Sequence, residues 1–297
     1  MDVNNYHVSI LGKEITCLAP KEGLMFDATL GGGGHSKMLF DNLINGKLIS
    51  VDRDQNSIYY CANKYGCEIE DKENDLYVLK DKNKEWVIIK SEFSHINDLL
   101  EKLVPDQKLN FFLADIGVSS HQIDEKKRGF SFMENGPLDM RMNKSQELSA
   151  KDLVNGLPQK ELEQIFREYG EEKYSQLISQ MIAKRRSQRM LTTTFDIVEI
   201  IKESVGNKYE AAKHPARRVF QALRIAVNNE LGELESLCRD LPGLMHDHGI
   251  IVILTFHSLE RNIIEKYFPN YEKLIPSIEE IKYNSRAKST VGYVIRL

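Results

Sequence analysis

The chain has 297 residues, 41% of them hydrophobic and 28% charged, the proportions of an ordinary soluble globular protein with one large core or two unequal domains. A formal net charge of −4 gives no global attraction to nucleic acid, so any such contact has to come from local basic patches. No apolar run nears the length of a membrane span, and the start shows no secretory signal. The four cysteines (Cys17, Cys61, Cys67, Cys238) form no CxxC pair and point to a reducing compartment, so a cytoplasmic protein without membrane contact or metal is expected.

Residues 1–23 hold a weak amphipathic pattern (Val8, Ile10, Leu11, Ile15, Leu18) that Pro20 breaks. Leu24 to Phe26 reads as a buried strand that ends in Asp27 and runs to four glycines, Gly31 to Gly34. Glycines lack a Cβ, so the backbone can turn sharply there and lie against a ligand. Met38, Leu39 and Leu43 then recur at helical spacing. Strand, glycine turn and helix form the layout of a nucleotide-type cofactor site, and a plain left-handed turn with a helix cap is the bland alternative. A second strand, Leu48 to Val51, closes on Asp52, about 20 residues beyond the glycines, where a ribose-binding acid belongs.

A helix is predicted from Gln55 to about Tyr65, followed by a charge-rich segment, 68–85, read as a solvated hairpin or loop insertion without chemistry. Trp86 to Ile89 is a third strand with Phe93 just past it; a helix carrying Ile96, Leu99, Leu100 and Leu103 follows, then a fourth strand, Phe111 to Ala114, ending at Asp115. The alternation predicts a parallel, doubly wound α/β sheet with the glycine loop, Asp52, Phe93 and Asp115 on one rim.

From about 125 to 215 strand signals cease, and short amphipathic helices suggest an inserted helical domain dividing the α/β domain into 1–124 and 216–297. This stretch holds 16 lysines and arginines against 14 acids. Its basic clusters are Lys184-Arg185-Arg186 with Arg189, and Lys213 with Arg217, Arg218 and Arg224 just beyond. One long helix is expected from Val219 to Leu234, a strong strand from Ile250 to Phe256, and a last strand over 291–297 as an antiparallel edge. Residues 270–289 look irregular and mildly basic. His246 and His248 around Asp247 read as a surface turn rather than a metal site.

The ordered motifs Asp27-Ala28-Thr29-Leu30-Gly31-Gly32-Gly33-Gly34-His35-Ser36, Val51-Asp52-Arg53-Asp54, Asp115-Ile116-Gly117-Val118-Ser119-Ser120-His121-Gln122 and Arg128-Gly129-Phe130-Ser131-Phe132 resemble one family. So do Gly136-Pro137-Leu138-Asp139-Met140-Arg141-Met142, Tyr169-Gly170-Glu171-Glu172, the block Phe220 to Asn228 and Phe256-His257-Ser258-Leu259-Glu260. That family is the bacterial small-subunit rRNA cytidine N4-methyltransferases (RsmH, also called MraW). The resemblance implies a Rossmann-like class I methyltransferase domain, S-adenosylmethionine as cofactor and a helical substrate-recognition domain. It implies 16S rRNA in the small ribosomal subunit as partner, with a homodimer among the assemblies allowed. It also implies cofactor contacts at Gly33, Gly34, His35, Asp52, Phe93, Asp115 and Gln122. Departures are His121 where proline is common, Arg261 directly after Leu259-Glu260, and Ser91 two residues ahead of Phe93.

Chemically, Asp52 offers acceptors to ribose hydroxyls and Phe93 a flat face to adenine, while Asp27 suits an ammonium. Asp115 is the catalytic candidate, accepting an N–H of the weakly nucleophilic amine. Phe130 and Phe132 are candidates for base stacking and Arg128 and Arg141 for phosphates. Two other readings fit parts of the pattern: a nicotinamide-dependent oxidoreductase, and a non-catalytic rRNA-binding assembly factor. Against the first, Ser36 stands where the third glycine of G-x-G-x-x-G would be.

Overall fold

The computed structural model describes residues 9–206 and 214–297, so Val8 and Lys213 lie outside the described residues. Two compact units emerge: Met1–Gly117 with Leu231–Leu297, and Val118–Glu230. These breaks differ from the expected 125 and 215. Val118 and Ile123 pack against the second unit's apolar core, and Val219, Phe220, Ala222, Leu223 and Val227 belong to it, which draws both ends of the insertion outward.

In the first unit, α1 (Gly12–Leu18) is followed by β1 (Glu22–Asp27), α2 (Gly34–Asn42), β2 (Asn45–Asp52) and α3 (Gln55–Tyr65). The Asp54 carboxylate caps α3 by accepting from Asn56 N at 3.1 Å, and Gly66 ends it in the left-handed region at φ 70°. Then come β3 (Glu68–Asp71), β4 (Leu76–Asp81), β5 (Lys84–Lys90), α4 (Ile96–Leu103) and β6 (Leu109–Asp115). The second unit holds α5 (Ser120–Asp124), α6 (Ala150–Gly156), α7 (Gln159–Glu168), α8 (Ser175–Arg186), α9 (Thr194–Val205) and α10 (Arg217–Asn228). After α11 (Glu230–Leu244) the sheet resumes with β7 (Met245–Thr255), α12 (Ser258–Tyr267), β8 (Glu272–Leu274), α13 (Ile278–Tyr283) and β9 (Val291–Arg296).

The strands form one sheet in the order β3-β4-β5-β2-β1-β6-β7-β9-β8. The run β5-β2-β1-β6-β7 is parallel, and the outer pairs are antiparallel. This is the doubly wound, Rossmann-like arrangement expected. The strand order reverses between β1 and β6, so the crevice for a ligand opens above the carboxyl ends of those strands. Alternate side chains leave the sheet on opposite faces. Phe26, Ile49, Val87, Phe112 and Ile253 join α4, α11 and α12 in one core; Met25, Leu48, Trp86, Phe111 and Val252 join α1, α2 and α3 in the other.

Three details depart from the sequence reading. The 68–85 segment is a hairpin, but β4 pairs with β5 and buries Leu76, Tyr77 and Val78, so it extends the sheet. The long helix breaks at Asn229, whose φ of 48° ends α10 before α11 starts. The final strand is antiparallel yet not an edge, because the three-residue β8, too short to carry a period, pairs outside it.

Candidate active site

Asp27, Asp52 and Asp115 close β1, β2 and β6, and the parallel register brings their carboxyl ends to one rim. The glycine loop joins them. Gly31 and Gly33 take positive φ (50° and 75°), and a Cβ on Gly33 would stand 2.6 Å from the Tyr65 ring, so this bend excludes other residues. Gly31 N donates to Asp52 Oδ2 at 2.8 Å, and Asp54 N donates to Asp52 Oδ1 at 2.8 Å. Asp52 thereby anchors the loop, and burial, the main cause, pushes its carboxyl up to about 6.

Asp27 serves differently from the ammonium ligand expected. It is fully buried, and its oxygens are taken by Thr29 (N at 3.0 Å) and by the Ser36 hydroxyl (2.5 Å), so it braces the loop from beneath. Burial raises its carboxyl above the ordinary range, with those hydrogen bonds opposing. Thr29 also accepts from Asp115 N at 2.6 Å, tying two of the rim's strand ends together.

Asp115 differs from the other two rim acids in having an oxygen left unbonded. Its Oδ1 is buried and has no hydrogen-bond partner among the described residues. Its Oδ2 stands 3.6 Å from His35 Nδ1. The other imidazole nitrogen, Nε2, lies 2.9 Å from the Ile10 carbonyl, which can only accept, so Nε2 carries a proton. In the neutral ring Nδ1 is then bare and faces a carboxylate, and one shared proton makes that contact favourable. Burial lifts Asp115 to about 6; His35 opposes, while Asp27 and Glu260 add to the rise.

Glu260, which the sequence reading treats only as part of a motif, is a further acid of the site. It is wholly buried at the start of α12, accepts from Phe256 N (2.6 Å) and His257 N (3.1 Å), and faces His257 Nε2 at 3.0 Å. The acid three residues beyond the helix-capping position is the signal that points to it. His257 is the cap residue and Ser258 the first residue of the helix.

Phe93 follows β5, with the Arg53 guanidinium 5.7 Å from its ring centre; Arg53 itself pairs with Glu233 at 3.5 Å. Gly34 opens α2 with His35 next, so both lie at a helix start beside the rim. Gln122 belongs to the helical unit, where its side-chain Oε1 accepts from Ser119 N (3.0 Å) and its backbone N–H donates to Ser119 Oγ (3.3 Å) in a reciprocal cap of α5. The rim thus gathers Gly33, Gly34, His35, Asp52, Phe93 and Asp115. No cluster of three metal-ligating residues occurs among the described residues.

In the helical unit, several candidate RNA contacts are already engaged. Arg128 is buried and donates to the carbonyls of Arg141 (3.0 Å) and Met142 (2.9 Å); Arg141 forks onto Asp139. Phe130 is core, and Phe132 stacks on His214 at 4.7 Å. Arg185 pairs with Glu203, Arg189 with Asp196, and Arg186 donates to Val154 O. Lys184, Gln188 and Arg217 remain exposed.

A family profile described as the MraW methylase family matches residues 4–293. The chain belongs to that family. It is similar to "Ribosomal RNA small subunit methyltransferase H" of Clostridium botulinum (strain Loch Maree / Type A3), at 41% identity over 90% of this chain and 82% of that one. The protein of the same name from Spiroplasma kunkelii is 41% identical over 84% of this chain and 78% of its own. That from Ureaplasma parvum serovar 3 is 35% identical over 98% and 97%. An oxidoreductase reading is not favoured by membership in a methylase family. A rim of three carboxylates is also a poor host for the diphosphate of a nicotinamide cofactor, since like charges at close range repel.

Proposed function

We propose that this methylase transfers a methyl group from S-adenosylmethionine to the exocyclic N4 amine of a cytidine in 16S rRNA of the small ribosomal subunit, in the cytoplasm. The observation that carries the reading is the buried, unbonded Oδ1 of Asp115 on a rim of acids, which suits a cationic methyl donor and an N–H to be accepted. The names of the relatives supply the RNA.

The donor set fits that cofactor. In this reading the amides of Gly33, Gly34 and His35 meet its amino-acid end, Asp52 its ribose hydroxyls and Phe93 its adenine; Gln122 is assigned by resemblance alone. When bound, the cofactor supplies an electrophilic methyl on a sulfonium. The protein's own work is positioning. The cytidine amine shares its lone pair with the ring, so holding it in line supplies much of the barrier reduction. Asp115 accepts an amine N–H, orients the lone pair, and takes the proton as the transfer completes. A carboxyl near 6 is close enough to neutrality to give the proton up again. His35, pinned through Nε2, holds Asp115 in place. The helical unit, with exposed Lys184 and Arg217, is assigned to the RNA.

Calorimetry with S-adenosylhomocysteine and with NAD tests the cofactor: binding of the first alone is expected, and binding of NAD alone overturns the reading. Mass mapping of methylated nucleosides in small-subunit RNA, with and without the protein, tests the product. Cofactor binding without any methylation would favour a non-catalytic assembly factor.

A further inference from the structure

The sheet's carboxyl rim carries a feature that the proposed chemistry does not use. Tyr283, the last residue of α13, is 83% exposed, and Ile278 and Ile275 on the same segment are 77% and 62% exposed. The residues that follow this bare aromatic ring are tied down by hydrogen bonds. Asn284 is buried and its carbonyl oxygens do two jobs: Oδ1 accepts from Arg286 N at 3.1 Å, and its backbone oxygen from Ala287 N at 3.0 Å. Ala287 is buried in the core, Thr290 Oγ1 donates to Arg286 O, and Arg261 of α12 donates to Ser289 O at 3.1 Å. The ring is followed directly by this hydrogen-bonded turn.

Two hydrogen-bonded links lead from the segment toward the residues around Asp115. Val291, just past the turn, pairs with Thr255 at the carboxyl end of β7. On the other side, Glu280 of α13 accepts from Leu11 N at 2.6 Å, and the residue before it, Ile10, accepts from the His35 ring that faces Asp115. From Lys282 to Leu297 the chain holds Lys282, Arg286, Lys288 and Arg296 and no acid, while Glu279 and Glu280 precede the ring on α13, Glu280 being engaged by Leu11 N. Lys282 and Lys288 are exposed.

We propose that this turn is a docking platform for single-stranded RNA, with the Tyr283 ring stacking on an unpaired base and Lys282 and Lys288 neutralising the adjoining phosphates. Rigid aromatic faces interleaved with cations are how proteins hold unpaired strands, because every base has a stacking face while phosphates answer to charge. A base to be methylated on its amine must leave its stack, which leaves its neighbours in need of a platform. The inference rests on the RNA-methylation reading and adds a surface to it.

The test uses the full-length protein with isolated small subunits and with a single-stranded oligonucleotide of small-subunit sequence. Tyr283→Ala should raise KM for the RNA substrate about tenfold, a typical loss for one stacked base, with kcat and S-adenosylhomocysteine affinity unchanged. Tyr283→Trp should restore KM, and its emission should be quenched by the oligonucleotide; Trp86, the one native tryptophan, is fully buried and should not respond. Lys282→Gln with Lys288→Gln should lower the slope of log affinity against log salt by about 1 to 2. Unchanged KM in Tyr283→Ala together with unquenched Tyr283→Trp emission overturns the platform. A changed oligomeric state in Tyr283→Ala, with RNA affinity intact, also overturns it in favour of a protein contact. If the wild type methylates no RNA, the functional reading fails instead, and the quenching measurement still decides the platform.

Discussion

The acids of the two units are treated in opposite ways. In the helical unit Asp139 is forked by Arg141, Asp152 takes the Ser149 hydroxyl and amide, and Asp196 takes Arg189 with the Thr192 and Thr193 amides. All three carboxyls fall below their ordinary value, Asp196 to about 2, its hydrogen bonds overcoming the cost of burial. On the sheet's rim Asp27, Asp52 and Asp115 are pushed upward by burial, the last two to about 6. The first set holds a fold together and gains by ionising. The second set is costly to keep ionised, and only a ligand bearing positive charge or donors would relieve it.

The largest effect expected from breaking this contrast is at Asp115. Asp115→Ala should lower the rate of methyl transfer to small subunits by about 10²-fold or more, read as kcat, as loss of a positioned proton acceptor does. A rate within threefold of wild type would remove Asp115 from the chemistry. Next is Asp52→Ala, which should weaken S-adenosylhomocysteine binding about 10- to 100-fold, the worth of hydrogen bonds to a charged group. Circular dichroism should stay as in wild type. In the other unit, Asp196→Ala should leave cofactor affinity alone and cost about 1–3 kcal/mol of unfolding free energy, because two amides and a guanidinium lose their acceptor. Denaturant titration reads this.

The smallest effect, and the one that tests the contrast directly, is in pH dependence. A carboxyl that titrates near 6 folded and near 3.8 unfolded binds more protons folded between those limits, so its contribution to stability falls as pH rises from about 4 to 6. Asp115→Asn should therefore gain in melting temperature on the wild type between pH 4 and pH 7. Asp196 has the reverse sign: its stabilisation is complete above about pH 4 and disappears as pH falls through 2. Asp196→Asn should trail the wild type at pH 7 and close the gap in acid. Parallel curves for the two variants would erase the distinction between the units.

Much of the sheet was legible because each parallel strand is a short apolar run ending in an acid or a turn, as at Phe26-Asp27, Val51-Asp52 and Ala114-Asp115. The rim followed from topology, since parallel strands put those acids at one end. What could not be read was which oxygens are spent. Nothing in the spacing tells that Asp27 is consumed by Thr29 and Ser36 while Asp115 keeps an oxygen unbonded. Side-chain fate also escaped the pattern at Arg128, whose cationic neighbours suggested phosphate but whose guanidinium lies in the core on two carbonyls. Composition identifies charge; only packing assigns its partner.

The borders of the sheet have a consequence of their own. An open sheet ends in strands with unused backbone groups, which invite lateral addition of another chain and, repeated, aggregation. Here one border is Glu68-Ile69-Glu70-Asp71, four residues with three acids, and the other is Glu272-Lys273-Leu274, only three residues long. Short and charged, both margins are poor templates for a further strand.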